Sequence, residues 1–138
     1  MTREQKNLLL RDLCSRLPYG VKVKFGDSKP APLTVIEHNE FGWQIGSEDE
    51  FGGMVTTIDN VKPYLFPLSS MTKEQRKEYE DALTYHDYVK GGWTIAKSFD
   101  DEYIIPYWFV DFCNKNHFDY RGLIPKGLAN DATGKNIY

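Results

Sequence analysis

The chain has 138 residues and a formal net charge of −3, with 41% hydrophobic, 14% aromatic and 27% charged residues. This composition excludes wholesale disorder, and the length predicts a single domain whose core needs no metal or disulfide. No apolar stretch approaches the roughly 20 residues that span a bilayer, and the polar N-terminus lacks the apolar segment of a signal peptide. We therefore expect a cytoplasmic protein without membrane association, and no motif calls for a cofactor.

Helical and alternating patterns divide the first half of the chain. Thr2 and Gln5 have the spacing of a capping box for a helix over residues 1–17, which Pro18-Tyr19-Gly20 ends. From Val21 the apolar period changes to two, which predicts an antiparallel sheet over residues 21–66. Its expected strands are 21–25, 33–37, 42–46, 54–58 and a short fifth at 61–65, with a polar loop at 47–53.

The second half is predicted to be mainly helical, over residues 72–130, with a frayed tail at 131–138. Thr72 and Gln75 form another capping box, and Pro106 suits the first turn of a third helix.

Between these helices, residues 91–96 predict either a short strand or an ordered loop. The expected fold class is α+β: an N-terminal helix, a small curled antiparallel sheet and C-terminal helices packed on it. Short, closely spaced strands of this kind sometimes close into an SH3-like barrel.

The sequence favours a protein without catalytic residues or a metal site. Cys14 and Cys113 lie beside apolar residues, which favours two buried free thiols, although the sequence leaves a disulfide between them open. Cys113 and His117 are four residues apart, so a Cys-His nucleophile pair is one enzymatic alternative. The histidines lack metal-ligand spacing, and the carboxylate runs at 48–50 and 100–102 are typical of solvated loops.

Nucleic-acid binding is the alternative from another class of function. Arg11 and Arg16 on the first helix supply positive charge, and Trp43 supplies a ring on which a base can stack. Against this, the predicted sheet region is acidic and would repel phosphates.

The densest aromatic run of the chain, residues 107–124, gives the leading hypothesis. Its rings bury large apolar areas, so they either pack into the core or present a contact surface. Tyr, Trp and Arg are enriched at interface hot spots. We therefore expect a non-enzymatic accessory module that binds a protein partner through Tyr107, Trp108, Tyr120 and Arg121.

Three segments carry a resemblance to other proteins: LRDLCSRLPYGV at 10–21, VKPYLFPLSSMT at 61–72, and HFDYRGLI at 117–124 with GLA at 127–129. Together they resemble a group of small uncharacterised proteins encoded by gut bacteroidete genomes, prophages and phages. The resemblance implies an accessory protein of a mobile element and carries no reaction with it.

Overall fold

The computed structural model describes residues 1–49, 52–90 and 107–138, and the fold is α+β, with 38% helix and 29% strand. The helices are α1 (Arg3–Arg16), α2 (Lys73–Lys90) and α3 (Tyr107–Lys115). The strands are β1 (Lys22–Phe25), β2 (Ala31–Pro32), β3 (Val35–Asn39), β4 (Gly42–Asp49), β5 (Gly52–Thr57), β6 (Val61–Leu65) and β7 (Asn130–Asp131). Within these ranges, no helix has the length and apolar character needed to cross a bilayer.

The predictions for residues 91–96, for Pro106 and for the carboxylate run at 100–102 lie outside the described residues.

The start of α1 confirms the predicted capping box. The Gln5 amide donates to Thr2 Oγ1 at 3.1 Å, and the Thr2 amide donates to Gln5 Oε1 at 2.9 Å. A 3-10 turn over Leu17–Tyr19 follows the helix, and Gly20 then takes a φ of 67°, a left-handed conformation that glycine adopts without a Cβ clash. This corner directs the chain into β1.

The described strands form two small sheets, and they do not close into a barrel. One has the order β2-β1-β6-β7 and the other β3-β4-β5. The predicted alternation at the start of the sheet region is confirmed, since Val21, Val23 and Phe25 are buried. The antiparallel sheet predicted over residues 21–66 is confirmed, and β7, which lies outside that range, adds a parallel pairing with β6.

The polar loop predicted at 47–53 is largely absent. Ser47 pairs with Met54, Glu48 with Gly53 and Asp49 with Gly52, so β4 and β5 continue almost to the end of their hairpin. Strand pairing satisfies the backbone whether or not the side chains are apolar, and alternation leaves Glu48 exposed. The prediction of a loop from the polar and acidic character of these residues was therefore wrong.

The predicted frayed tail at 131–138 is instead anchored to the first sheet. The Ala132 amide donates to the Leu65 carbonyl at 2.8 Å, and Ala132 is buried. At the C-terminal residue, the Tyr138 hydroxyl donates to the Tyr64 carbonyl at 2.7 Å and accepts from the Lys22 amide at 3.0 Å. The Tyr138 side chain thus joins β1 and β6. The short polar segment that carries it gives no signal of this contact in the sequence.

Two clusters of buried side chains hold the fold. The first lies between α1 and the sheets and includes Leu9, Leu13, Val23, Ile45 and Leu65. The second is aromatic and contains much of the predicted ring-rich run: Phe109, Phe112, Phe118 and Tyr120, with Cys113. Most of that run is therefore core, and only parts of it reach the surface.

Candidate interaction surface

Backbone geometry at the end of α3 decides which of its neighbours face inward. The Phe118 amide donates to the Cys113 carbonyl at 2.8 Å and the His117 amide to the Asn114 carbonyl at 3.3 Å, the two bonds of a Schellman C-cap. His117 occupies the left-handed position with a φ of 60°. The chain reverses there, and Phe118 packs on Phe112 with ring centroids 6.0 Å apart.

The Cys-His alternative fails on this geometry and on its chemistry. α3 ends at Lys115, so Cys113 and His117 do not share a helix face. Burial raises the pKa of the Cys113 thiol to about 12, although the positive charge of Arg16 acts in the opposite direction. Burial, with the Arg16 charge, lowers the pKa of His117 to about 4. A neutral, buried thiol and an imidazole of low basicity make a poor nucleophile pair.

Arg16, predicted as a nucleic-acid contact, is wholly buried and cannot reach a phosphate. Its Nε lies 2.7 Å from Asp12 Oδ2, and its Nη2 donates to the Phe118 carbonyl at 2.7 Å. Burial raises the pKa of Asp12, against the opposing influence of Arg16 and Arg121. The pair ties α1 to the segment after α3, so this arginine is structural. Arg11, the other arginine predicted to contact nucleic acid, is exposed.

Tyr120, predicted as a partner contact, is also interior, with 3% of its surface exposed. The guanidinium carbon of Arg16 lies 5.2 Å from its ring centroid and that of Arg121 lies 4.9 Å from it. Arg121 is partly exposed and approaches Asp12 at 3.4 Å. Tyr120 thus makes two cation–π contacts inside the fold, where a partner cannot touch its ring.

The turn after Tyr120 is held by Asp119. Its Oδ1 accepts from the Leu123 amide and its Oδ2 from the Ile124 amide, both at 2.8 Å. This bidentate capping fixes the loop that carries Arg121.

Trp43, the third residue of the nucleic-acid hypothesis, is 43% exposed on β4. It packs edge-to-face against His38, with ring centroids 5.0 Å apart. Arg11, the exposed arginine of this hypothesis, lies on α1, whereas Trp43 lies on the sheet β3-β4-β5. Arg16 is buried and adds no charge to a surface between them. Among the described residues, no group of three or more His, Cys, Asp or Glu side chains has the arrangement of a metal site.

The remaining predicted residues, Tyr107 and Trp108, lie at the start of α3. Tyr107 is 68% exposed, whereas Trp108 is partly buried against Tyr79 of α2, with ring centroids 6.0 Å apart. Tyr79 also meets Phe109 at 5.6 Å and Phe112 at 6.1 Å. These aromatic contacts hold α2 against α3. Trp108 also lines a surface cleft.

The cleft has a volume of about 270 Å³ and lies between α2, α3 and the 3-10 turn that follows α1. Its lining residues are Tyr19, Glu78, Trp108, Asp111, Phe112 and Lys115. Four of them lie on α3 at spacings i, i+3, i+4 and i+7, which places them on one helix face. We call the aromatic lining residues, Tyr19, Trp108 and Phe112, the walls of the cleft, and the charged ones, Glu78, Asp111 and Lys115, its rim.

Weak polar contacts organise the rim and leave its charges accessible. Lys115 Nζ lies 3.5 Å from Glu78 Oε1, and the side chains are 65% and 52% exposed. The Tyr19 hydroxyl lies 3.5 Å from Asp111 Oδ1. The Lys115 ammonium lies beside Glu78. Among the described residues, no cation forms a salt bridge with the Asp111 carboxylate.

Sequence reasoning found one cleft residue, Trp108, and missed the rest. The spacing of Trp108, Asp111, Phe112 and Lys115 on a single helix was a usable signal, since it predicts a mixed aromatic and charged face. Tyr19 carried no such signal, because it was interpreted only as part of a helix-ending turn.

Comparisons with known proteins give no match: neither a protein family, nor a curated protein, nor a solved structure resembles this chain significantly.

Proposed function

We propose that this protein is a non-enzymatic interaction module that binds a segment of a protein partner in the cleft between α2 and α3. The observation that carries the proposal is the cleft itself, with the walls of Tyr19, Trp108 and Phe112 under a charged rim. Aromatic walls that already pack on a rigid core bury a partner side chain at little conformational cost. Its volume, about 270 Å³, suits one or two side chains better than a large cofactor.

The rim charges define the chemistry of the segment. Glu78 and Asp111 contribute two carboxylates and Lys115 one ammonium. A cationic side chain beside an apolar or aromatic anchor would meet Asp111 while the anchor enters the cleft. The partner is therefore a protein segment with a Lys or Arg next to a large apolar residue.

The accessory setting remains part of the proposal. The resemblance of three segments to proteins of gut bacteroidete genomes, prophages and phages supports an accessory role in a mobile element, exercised in the cytoplasm. In that setting, a small module that binds and redirects another protein needs no chemistry of its own.

Quantitative capture tests this function. Tagged wild-type protein, Trp108→Ala and Asp111→Lys are incubated with nuclease-treated lysate of the host, and the bound proteins are quantified. We expect a protein that is enriched on wild type and depleted at least ten-fold on both variants. Phe41→Ala is the matched control, since Phe41 is a 77% exposed ring on the hairpin between β3 and β4, away from the cleft.

Arg121→Ala is a poor probe of this surface, although the sequence suggested it. Arg121 contacts the buried Asp12 and the Tyr120 ring, so its removal disturbs the fold as well as any interface. Equal capture by wild type and both cleft variants would refute the proposal.

A further inference from the structure

The sheet edges in the described residues differ in how they are protected from pairing with another chain. Exposed edges present free backbone donors and acceptors, and proteins usually blunt them with charge, proline or short length. β2 has only two residues and ends in Pro32, β7 also has two residues, and β3 carries Glu37. β5 has none of these devices, although it is six residues long.

β5 also exposes apolar side chains. Its sequence, GGMVTT, contains no charged residue, and Val55 is 50% and Met54 38% exposed. In the described residues its one strand partner is β4, and no described strand pairs with its outer edge. An uncharged, proline-free edge of this length is a template for one more strand.

From this edge we infer that two copies of the chain associate in solution by antiparallel pairing of their β5 strands. Because β5 is neutral, two copies meet without like charges facing each other, whereas two β3 edges paired about their central residue, Glu37, would oppose two carboxylates. A second copy therefore fits this edge better than it fits β3.

Symmetry restricts the register, and the exposed side chains decide among the allowed centres. In a two-fold antiparallel pair, opposed residues must point to the same face, so one residue faces its own copy at the centre. Centring on Val55 places two exposed β-branched side chains opposite each other and pairs Gly53 with Thr57 of the other copy. Val–Val is a favourable cross-strand pair, and the two three-stranded sheets become one sheet of six.

This association is independent of the cleft between α2 and α3, so its test does not depend on the proposed function. Sedimentation equilibrium or light scattering over a wide concentration range measures the mass. We expect wild type to rise from 16.0 kDa toward twice that value as concentration increases. Val55→Lys and Val55→Glu each stay at the monomer mass, and an equimolar mixture of the two regains the dimer. Phe41→Lys, which adds the same charge at another exposed apolar position, dimerises like wild type.

Cross-linking covers the case in which the charge variants fail to fold. In a Cys14→Ser background, Val55→Cys forms a disulfide-linked dimer under mild oxidation faster than Phe41→Cys does. A wild type that remains at 16.0 kDa at the highest concentration overturns the inference. So does a dimer that persists in folded Val55→Lys, and so does a Val55→Cys protein that cross-links no faster than Phe41→Cys.

Discussion

The His117 ring stacks face to face on the Tyr138 ring, with centroids 3.8 Å apart and planes 9° apart. His117 is the left-handed residue that ends α3, and Tyr138 is the residue that hydrogen-bonds to both β1 and β6. A single aromatic contact therefore connects the helix that carries the cleft to the first sheet. It also covers a non-glycine residue in a conformation that costs about 1 kcal/mol or more.

Tyr138→Phe tests the hydroxyl side of this connection. The change keeps the stacked ring but leaves the Tyr64 carbonyl and the Lys22 amide without their shared partner. We expect a loss of about 1–2 kcal/mol in the free energy of unfolding, measured by urea titration. Tyr19→Phe is the control, because its hydroxyl makes only a 3.5 Å contact with an exposed carboxylate. An equal effect of both changes would contradict the role of Tyr138.

His117 gives the stability a dependence on pH. Its pKa is 6.5 in an unfolded chain and falls to about 4 in the fold, mainly through burial. As pH drops below 6.5, the unfolded state takes up a proton that the folded state does not, so stability falls until pH reaches about 4. Above pH 6.5 this contribution is complete and constant.

His117→Asn provides the comparison for that pH dependence. Asparagine tolerates the left-handed conformation and does not titrate. Chemical denaturation from neutral pH to pH 4.5 should show a smaller loss of stability in the variant than in wild type. Parallel curves for the two proteins would show that His117 does not contribute.

Removing one partner of the Asp12–Arg16 pair is expected to cost much stability, whereas replacing both by apolar residues is expected to cost little. Asp12→Ala leaves the Arg16 guanidinium buried without its carboxylate, which should destabilise the protein by about 3–5 kcal/mol. The double change Asp12→Leu with Arg16→Met removes both charges and should recover most of that loss. Arg11→Ala, at an exposed position one residue away, serves as the control. If the double variant is as unstable as the single one, hydrogen bonding to the Phe118 carbonyl is the larger contribution.

The two cysteines should differ sharply toward thiol reagents. Both are free thiols, but Cys14 is exposed whereas Cys113 is buried with a pKa of about 12. A chromogenic disulfide reagent at neutral pH should therefore label one thiol rapidly and the second only after denaturant is added. Cys14→Ser should abolish the rapid phase. Rapid labelling of Cys113 in that variant would contradict its burial and reopen the enzymatic alternative.

Local signals explain what the sequence could predict. The capping boxes at Thr2 and Thr72 form as expected, because each depends on residues three positions apart. The alternation of Val21, Val23 and Phe25 was sufficient to place β1. The prediction that Cys14 is buried was wrong, since it lies at the margin of the apolar stripe of α1 and faces out.

The remaining features depend on partners distant in sequence. The burial of Arg16 depends on the Phe118 carbonyl, which lies 102 residues away, although its carboxylate partner Asp12 is a near neighbour on α1. Tyr120 was predicted as a hot-spot residue, but its ring is buried and contacts two guanidinium groups. Tyr138 is anchored by groups 74 and 116 residues away, and no local pattern encodes that contact.

Photo-cross-linking from within the cleft tests the central claim most directly. A photoreactive phenylalanine derivative replaces Tyr19 at the cleft in one variant and Phe41, outside it, in another. After irradiation in nuclease-treated host lysate, cross-linked proteins are identified by mass spectrometry. The account predicts a specific adduct from position 19, joined through a segment that holds a basic residue beside an apolar one, and lost when Asp111→Lys is added. Adducts of equal yield from positions 19 and 41, or none from position 19, would contradict a partner-binding cleft.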